Sequence, residues 1–420
     1  MIHVDLGRMG PLSPRDTTAA VEAMTALEAG AIANPTEGRQ VGHYWLRGGG
    51  PYADQVAAMH AAVARLPQAR TVVWCGIGGS ALGPQLLQSA LGGEMVYLDN
   101  TDPAGIDRAL STVDFSDALV MVVSKSGGTK ETRNAFAECL ARGATRVACI
   151  TGEGSALERS RDDWEAVLPL WSWVGGRTSV TSAVGLATLK LLGHDPQEFL
   201  AGARAMDEAT RGPGNVALRL ACAWLDAAPR AMVVLPYCDG LQLFPRYLQQ
   251  LVMESLGKDG QGITVYGNKG STDQHAYVQQ LRDGPDDFFA TFVAVTGSPR
   301  GVEVEPGVTT GDYLQGFLLG TRNALSAQGK RSLTITLDAL DAWHLGGLIA
   351  LYERAVGYAA TLMGVNAYDQ PGVEAGKRGA ADALAVLAAL RRGEEVVAPE
   401  DDIQLLRAWM AATESFPSGV

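Results

Sequence analysis

Residues 71–79 read TVVWCGIGG, an apolar run that ends in glycines. Three further stretches repeat this pattern of a short apolar run followed by small or polar residues: EMVYLDN (94–100), ALVMVVSKSG (118–127) and RVACITG (146–152). Helical patterns separate the four runs. Because strands that alternate with helices form βαβ units, this part of the chain predicts an α/β domain with a parallel sheet.

The alternation begins again after a turn-rich break, RGPGN, at residues 211–215. The later strand-like runs are RAMVVLPYC (230–238), GITVYG (262–267), DFFATFVAV (287–295) and SLTITL (332–337). We therefore predict an N-terminal helical segment (1–70), two α/β domains (71–210 and 211–375) and a C-terminal helical arm (376–420). Smaller predictions are a helix at 17–33, an exposed loop at 298–312, a buried helix at 341–365 and a linker at 391–402.

Composition excludes several classes of protein. The 420 residues are 47% hydrophobic and 19% charged, which is typical of a globular chain, and the formal charge of −12 disfavours nucleic acid as a partner. The five cysteines form no C-x-x-C pair, which fits reduced thiols in the cytoplasm. We see no secretory signal, and the most apolar long stretch is interrupted by Glu353 and Arg354, so we expect no membrane association.

The glycines that follow the first run have two interpretations. Residues 76–81, GIGGSA, satisfy the dinucleotide-binding pattern G-x-G-x-x-G/A, and Asp99 closes the next strand about 20 residues later. An NAD-dependent oxidoreductase is therefore one hypothesis. The other is that the glycines only permit a tight turn from strand to helix.

A second small-residue loop favours a monophosphate. Ser124, Ser126 and Thr129 alternate with glycines between a strand and the predicted helix 130–140. Their hydroxyls and the unpaired N–H groups of the helix start can converge on one anion, while Lys125 and Lys130 add positive charge. The alternative is that one hydroxyl is an ordinary helix cap.

Six blocks, in this order along the chain, resemble the glucose-6-phosphate isomerase family: GIGGSALGP (76–84), SKSGGTKET (124–132), GGRTSVTSAVGL (175–186), QQLVMESLGK (249–258), DQHAYVQQL (273–281) and YDQPGVEAGK (368–377). The resemblance implies an α/β fold of two doubly wound, three-layer parallel-sheet domains, and a cytoplasmic homodimer. It also implies cofactor-free, metal-independent interconversion of glucose 6-phosphate and fructose 6-phosphate, through ring opening and an enediolate.

The resemblance assigns roles to residues within these blocks. Glu254 would move the proton between C1 and C2, and Arg177 would stabilise the enediolate charge. His275, supplied by the neighbouring subunit, and Lys377 would open the sugar ring. Contacts to substrate would come from Gly79, Ser80, Ser124, Ser126, Thr129, Gln250 and Gln370, with the three residues of the second loop holding the 6-phosphate.

Periodicity alone gives Glu254 a different interpretation, as a residue on a solvated helix face that pairs with Lys258. The blocks also depart from the family in three places: Leu256 replaces a frequent Asn, residues 177–182 read RTSVTS instead of RYSVWS, and Asp273 precedes Gln274 and His275 in TDQH. Asp273 could raise the basicity of the His275 imidazole.

A dual phosphoglucose/phosphomannose isomerase and a non-catalytic sugar-phosphate regulator remain alternatives for the function of the chain.

Overall fold

The computed structural model of the chain describes residues 1–28, 53–227 and 231–414. Its contacts divide the chain into two compact units, Met1–Tyr368 and Asp369–Val420. The first unit contains both parallel sheets and the second is helical. The domain boundaries at residues 71, 211 and 376 stay predictions.

The N-terminal segment is not entirely helical, which corrects one expectation. Its elements are a strand, β1 (Ile2–Asp5), and two helices, α1 (Thr18–Glu28) and α2 (Ala53–Ala64). β1 is a partly exposed edge strand, and it is stabilised by antiparallel pairing with residues 334–337. The predicted helix at 17–33 is confirmed as α1, and its residues 29–33 lie outside the described ranges.

The first sheet has five parallel strands. In chain order the elements are β2 (Val72–Cys75), α3 (Leu82–Leu91), β3 (Val96–Leu98), α4 (Pro103–Leu110), β4 (Leu119–Ser124), α5 (Lys130–Ala141), β5 (Arg146–Thr151), β6 (Ala166–Pro169), α6 (Ala183–Leu191), α7 (Pro196–Ala209) and α8 (Val216–Ala227). The strand order is β3-β2-β4-β5-β6. All four predicted strands are present, and the short edge strand β6 is an addition that the sequence analysis missed.

The second sheet is parallel except for β1 at its edge. Its region contains β7 (Ala231–Pro236), α9 (Phe244–Leu248), β8 (Val265–Tyr266), α10 (Gly270–Gln274), α11 (Val278–Asp283), β9 (Phe288–Val295), β10 (Glu303–Glu305), β11 (Val308–Thr309), α12 (Thr310–Ala327), β12 (Ser332–Leu337) and α13 (Ala342–Met363). The strand order is β1-β12-β9-β7-β8. The predicted loop at 298–312 therefore includes a small exposed hairpin, β10–β11, whose strands are too short to show a period.

Both sheets are covered on both faces, which explains the continuous apolar runs. Every residue of β4 is buried. Leu119, Met121 and Val123 enter one apolar core, whereas Val120 and Val122 enter the core on the opposite face. A strand of a parallel sheet with helices on both sides needs apolar residues at every position, so the alternation typical of half-buried strands is absent.

Each sheet is doubly wound, and the reversal of winding creates a crevice. From β2 the chain moves outward to β3, whereas from β4 it moves in the other direction to β5, although β2 and β4 are neighbours. In the second sheet, β7 and β9 are related in the same way. Ligands of open α/β sheets bind outside the carboxyl ends of such strands. The loops after β2 and β4 therefore lie where a ligand is expected.

The long helix α13 lies in the interior of the first unit, as predicted. It packs against α7, α8 and α1. On α13 the fully buried Arg354 donates to Asp207 Oδ1 and to the Thr210 carbonyl, both at 2.8 Å, and forms an ion pair with Glu28. These bonds neutralise a guanidinium that burial would otherwise leave uncompensated.

The second unit is formed by α14 (Gly372–Arg391) and α15 (Glu400–Glu414), which the predicted linker joins. Across the described parts of both units, no helix has the length together with the apolar character that crossing a membrane requires.

Candidate active site

The turn after β2 is a single 3₁₀ turn, Gly78–Ser80, at the carboxyl edge of the first sheet. The buried Trp74 indole N–H donates to the Ser80 carbonyl at 2.7 Å. This bond fixes the turn against its own strand, so that Ser80 is presented at the crevice between β2 and β4.

The loop after β4, residues 124–129, carries the three predicted hydroxyls, and we name it the anion loop. Ser124 is buried at the end of β4, and its hydroxyl donates to Thr129 Oγ1 at 3.0 Å. Thr129 is the N-cap of α5 but does not bond the backbone N–H groups of the helix start. The Ser126 hydroxyl accepts from the Gly128 N–H at 3.2 Å and is exposed. Two of the three hydroxyls thus lie together at the start of α5, and a helix N-terminus favours an anion.

Lys125 connects the anion loop to the segment that leads to Arg177. Its ammonium donates to the Val174 carbonyl at 2.7 Å and to the Ser172 carbonyl at 3.2 Å. Lys130, in contrast, is exposed at the start of α5. Lys125 therefore holds two loops of the site together in addition to supplying charge.

The turn that contains Ser80 and the turn that contains Arg177 touch through glycine backbones. A Cβ atom on Gly79 would lie 2.1 Å from the Gly176 carbonyl oxygen, so only glycine fits at position 79. The Ser179 hydroxyl lies within hydrogen-bonding distance of both carbonyls, at 3.1 Å from that of Gly79 and 2.7 Å from that of Gly176. The two turns are thus one structural unit.

Arg177 is buried, with 4% of its surface exposed. Its Nε donates to Ser255 Oγ at 2.8 Å, and its Nη2 donates to the Ala367 carbonyl. Its Nη1 lies 3.2 Å from Glu254 Oε2, so the structure places the two principal residues of the sequence analysis in one ion pair. A guanidinium with fixed partners is a preorganised donor for negative charge.

Glu254 ends a π-helical turn, Gln249–Glu254, that continues from α9. Such turns are often found at functional sites because they redirect side chains. The Glu254 side chain is 22% exposed, and it faces Arg177, whereas the Lys258 ammonium donates to the Ser255 and Asn366 carbonyls. The solvated pairing with Lys258 that periodicity favoured is thus replaced by a partly buried pair with Arg177.

Gln250, on the same turn, lies close to the loop after β2. A Cβ atom built on Gly78 would be 3.3 Å from Gln250 Nε2. The second sheet therefore delivers Gln250 and Glu254 to loops of the first sheet.

His275 follows α10 and is exposed. Within the described ranges it makes no hydrogen bond or ion pair with Arg177 or Glu254. Its turn is attached to α12, because Gln274 Nε2 donates to the Phe317 carbonyl at 3.1 Å. The buried Asp273 carboxylate accepts from the Asn268 backbone N–H at 3.0 Å and from the Tyr277 hydroxyl, so it serves its own turn.

Two predicted site residues belong to the second unit. Lys377 lies in α14 and Gln370 shortly before it.

Sequence analysis missed three groups that hold Arg177: the Ser255 hydroxyl, the Ala367 carbonyl and the Tyr247 hydroxyl, which donates to the Arg177 carbonyl at 3.4 Å. Ser255 adjoins Glu254 in the MES block, which was the one available signal. The other two gave none, since a carbonyl has no sequence signature and Tyr247 lies among apolar residues such as Phe244 and Leu248.

The acidic residue of the dinucleotide-binding pattern, Asp99, is occupied by contacts within the protein. Asp99 accepts from Gln85 Nε2 at 2.9 Å and lies 3.7 Å from Arg246, so its carboxylate is engaged by the protein. Within the ranges that the structure describes, no three His, Cys, Asp or Glu side chains are grouped as metal ligands.

Comparison with known proteins identifies the family. A sequence model of the phosphoglucose isomerase family matches residues 14–305 and 319–399, which together are most of the chain. The chain belongs to this family. Among its relatives, the glucose-6-phosphate isomerase of Citrifermentans bemidjiense is 50% identical over 417 residues, which cover 87% of this chain and 79% of that protein.

Solved structures support the membership in the phosphoglucose isomerase family. A glucose-6-phosphate isomerase from Chlamydia trachomatis has a TM-score of 0.79 at 27% identity, covering 94% of this chain and 87% of that one. A hypothetical protein from Thermus thermophilus has a TM-score of 0.80 at 30% identity, covering 92% of this chain and 100% of that one.

The departure from the family at Leu256 lies in the core, where this side chain is fully buried.

Proposed function

We propose that the chain is a glucose-6-phosphate isomerase, which interconverts glucose 6-phosphate and fructose 6-phosphate. The observation that carries the proposal is the Glu254–Arg177 ion pair in a chain that also has the anion loop and belongs to the phosphoglucose isomerase family. The reaction moves one proton between C1 and C2 and needs a base and a group that stabilises an enediolate.

Glu254 is the base in this proposal. A single carboxylate that reaches both carbons from one face of the substrate can remove the proton at C2 and return it at C1. Such acid–base work contributes about 10²- to 10⁴-fold to the rate. The partial exposure of Glu254 and its attachment to a redirected helical turn support this role, because the carboxylate is held and still open to a ligand.

Arg177 stabilises the negative charge that develops on the enediolate oxygens. Its buried guanidinium keeps its charge at any physiological pH, and its fixed partners remove the cost of reorganisation during the reaction. This electrostatic role makes the reaction independent of a metal ion or an organic cofactor.

The anion loop binds the 6-phosphate through Ser124, Ser126 and Thr129, with Gly79, Ser80 and Gln250 along the sugar. Gln370 keeps the role in substrate binding that the family resemblance assigns to it. The support for this assignment is geometric. Ser124 and Thr129 share a hydrogen bond at the start of α5, and Gln250 lies near the loop after β2.

Ring opening is assigned to His275 and Lys377, with His275 supplied by the second subunit of a homodimer. His275 is exposed, and its turn is attached to α12 near an apolar surface of Tyr313 and Phe317, which are 37% and 44% exposed and whose ring centroids lie 5.9 Å apart. An exposed apolar surface next to an exposed catalytic residue supports an interface at this place.

The free thiols at all five cysteines support a cytoplasmic location.

The test is turnover of fructose 6-phosphate without added metal by the wild type, by Glu254→Gln and by a control, Glu22→Gln, on the exposed side of α1. We expect an active wild type, an unchanged control and a fall of about 10²-fold or more in kcat for Glu254→Gln. An active wild type with an equally active Glu254→Gln would overturn the role of Glu254. Sugar-phosphate binding without turnover would favour the regulator, and comparable turnover of mannose 6-phosphate would favour the dual isomerase.

A further inference from the structure

The backbone of Arg177 has a partner that the proposed mechanism does not use. Tyr247 on α9 is 3% exposed, and its hydroxyl lies 3.4 Å from the Arg177 carbonyl oxygen. The same hydroxyl lies 3.2 Å from Oε1 of Glu353, which is 1% exposed on α13. A carboxyl group, a phenol and the Arg177 carbonyl thus form one buried series.

The proton count in this series decides what Glu353 does. A phenol has one proton and donates a single hydrogen bond, yet the Tyr247 oxygen lies near two acceptors. If the carboxyl group carries a proton, it can donate to the Tyr247 oxygen, and the Tyr247 proton is then available for the Arg177 carbonyl. An ionised carboxylate would instead take that proton and leave the carbonyl without it.

Burial favours the protonated form. The Glu353 side chain is enclosed by the protein, and desolvation raises the pKa of its carboxyl group well above the usual value, against a smaller lowering by Tyr247. Burial likewise raises the pKa of the Tyr247 hydroxyl, so the phenol keeps its proton. Burial therefore favours the neutral form of both groups, and in that form each has one proton to donate.

The segment that carries Arg177 needs such support. Residues 176–181 form a short 3₁₀ segment that is interrupted at Thr178, where φ is −115° and ψ is 15°. A regular helix would fix the Arg177 backbone through its own hydrogen bonds, whereas a broken turn depends on contacts from other elements. Tyr247 supplies one to the carbonyl, and Ser255 supplies one to the guanidinium.

We propose that Tyr247 and Glu353 are positioning residues that hold the Arg177 turn so that its guanidinium stays beside Glu254. The proposal rests on the isomerase function proposed above. Both side chains are buried, so the proposal gives neither of them a contact with the substrate. Since the guanidinium acts on charge that develops during the reaction, their loss lowers kcat and leaves KM nearly unchanged.

The first experiment compares Tyr247→Phe with Tyr358→Phe in fructose 6-phosphate turnover. Tyr358 is a matched control because it is also buried, and its hydroxyl donates to the Thr210 carbonyl at 2.9 Å. We expect kcat to fall about 3- to 10-fold in Tyr247→Phe, from the typical contribution of one hydrogen bond, and to stay within about twofold in Tyr358→Phe. Equal kcat values in the two variants would overturn the proposal.

Two substitutions at Glu353 test the direction of the hydrogen bond. Gln keeps a neutral donor of similar shape, whereas Met fills the space without one. We expect Glu353→Gln to retain kcat within about twofold and Glu353→Met to resemble Tyr247→Phe. A loss of activity in Glu353→Gln equal to that in Glu353→Met would refute the role of Glu353 as a donor. If the Met variant does not fold, the Gln variant and Tyr247→Phe still decide the question.

A double-mutant cycle shows whether the effect passes through Arg177. In the Arg177→Lys background, adding Tyr247→Phe should change kcat by less than about twofold, because the guanidinium is already absent. The same loss of about 3- to 10-fold in both backgrounds would show that Tyr247 acts elsewhere. An inactive wild type would contradict the proposed isomerase, whereas an active wild type with an unaffected Tyr247→Phe contradicts only the positioning role.

Discussion

Replacing Gly79 by alanine should separate the two turns that form the site. A Cβ atom at this position would lie 2.1 Å from the Gly176 carbonyl oxygen and 2.2 Å from its carbon, whereas ordinary contact begins at 3.4 Å. Both atoms belong to the backbone, so no side chain can rotate away. The turns must move apart by about 1.3 Å, and a displacement of about 1 Å in a site can cost about 10²-fold in rate.

The assay is kcat/KM for fructose 6-phosphate, with formation of glucose 6-phosphate followed by a coupled dehydrogenase. We expect a fall of about 10²-fold in Gly79→Ala. The control is Gly379→Ala, in an exposed part of α14, where an added Cβ would meet no atom within 4 Å. That variant should keep full activity. A folded Gly79→Ala protein with activity within about threefold of the wild type would refute the reasoning that this close approach positions the site.

Three further changes test the interior and the anion loop. Arg354→Met should lower the free energy of unfolding in urea by about 3–5 kcal/mol, because Asp207 is left buried without one of its cations. Ser124→Ala should raise KM for fructose 6-phosphate about tenfold, since a hydrogen bond to a charged phosphate is lost. Glu353→Gln should gain stability relative to the wild type as pH rises. The folded protein holds the Glu353 proton to a higher pH than the unfolded chain does, so wild-type stability falls above about pH 4.3.

Each of these predictions has its own control or contrary result. Arg392→Met removes a cation from an exposed pair with Glu394 and should leave the free energy of unfolding nearly unchanged, so a similar loss in both arginine variants would contradict the first. Ser111→Ala, at an exposed helix end, should leave KM unchanged. A stability difference between Glu353→Gln and the wild type that stays constant from about pH 5 to about pH 8 would show that the carboxyl group does not titrate as expected.

The elements that sequence analysis predicted are those whose signal is local. The runs that became β4 and β9 are apolar at every position or nearly so, because each strand is covered on both faces. Two partly exposed strands at sheet edges, β1 and β6, were missed. β1 forms through pairing with β12, far along the chain.

The candidate site divides in the same way. The glycines, hydroxyls and charged residues of the motifs could be read in sequence, since a loop between a strand and a helix has a composition of its own. The ion-pair partner of Glu254 could not be read in the sequence. Local spacing offered Lys258, four residues away, whereas the fold supplies Arg177 from the other sheet's loops.

The sequence by itself determined most of the segments that become strands and the family to which the chain belongs, and it predicted which blocks carry chemistry. These properties depend on residue type and spacing over short distances. Only the tertiary structure decided that Arg177 is held by Ser255, 78 positions away, and that Tyr247 meets Glu353, 106 positions away. Such contacts depend on how two sheets and a buried helix pack together, and that packing is a property of the whole core rather than of any one segment.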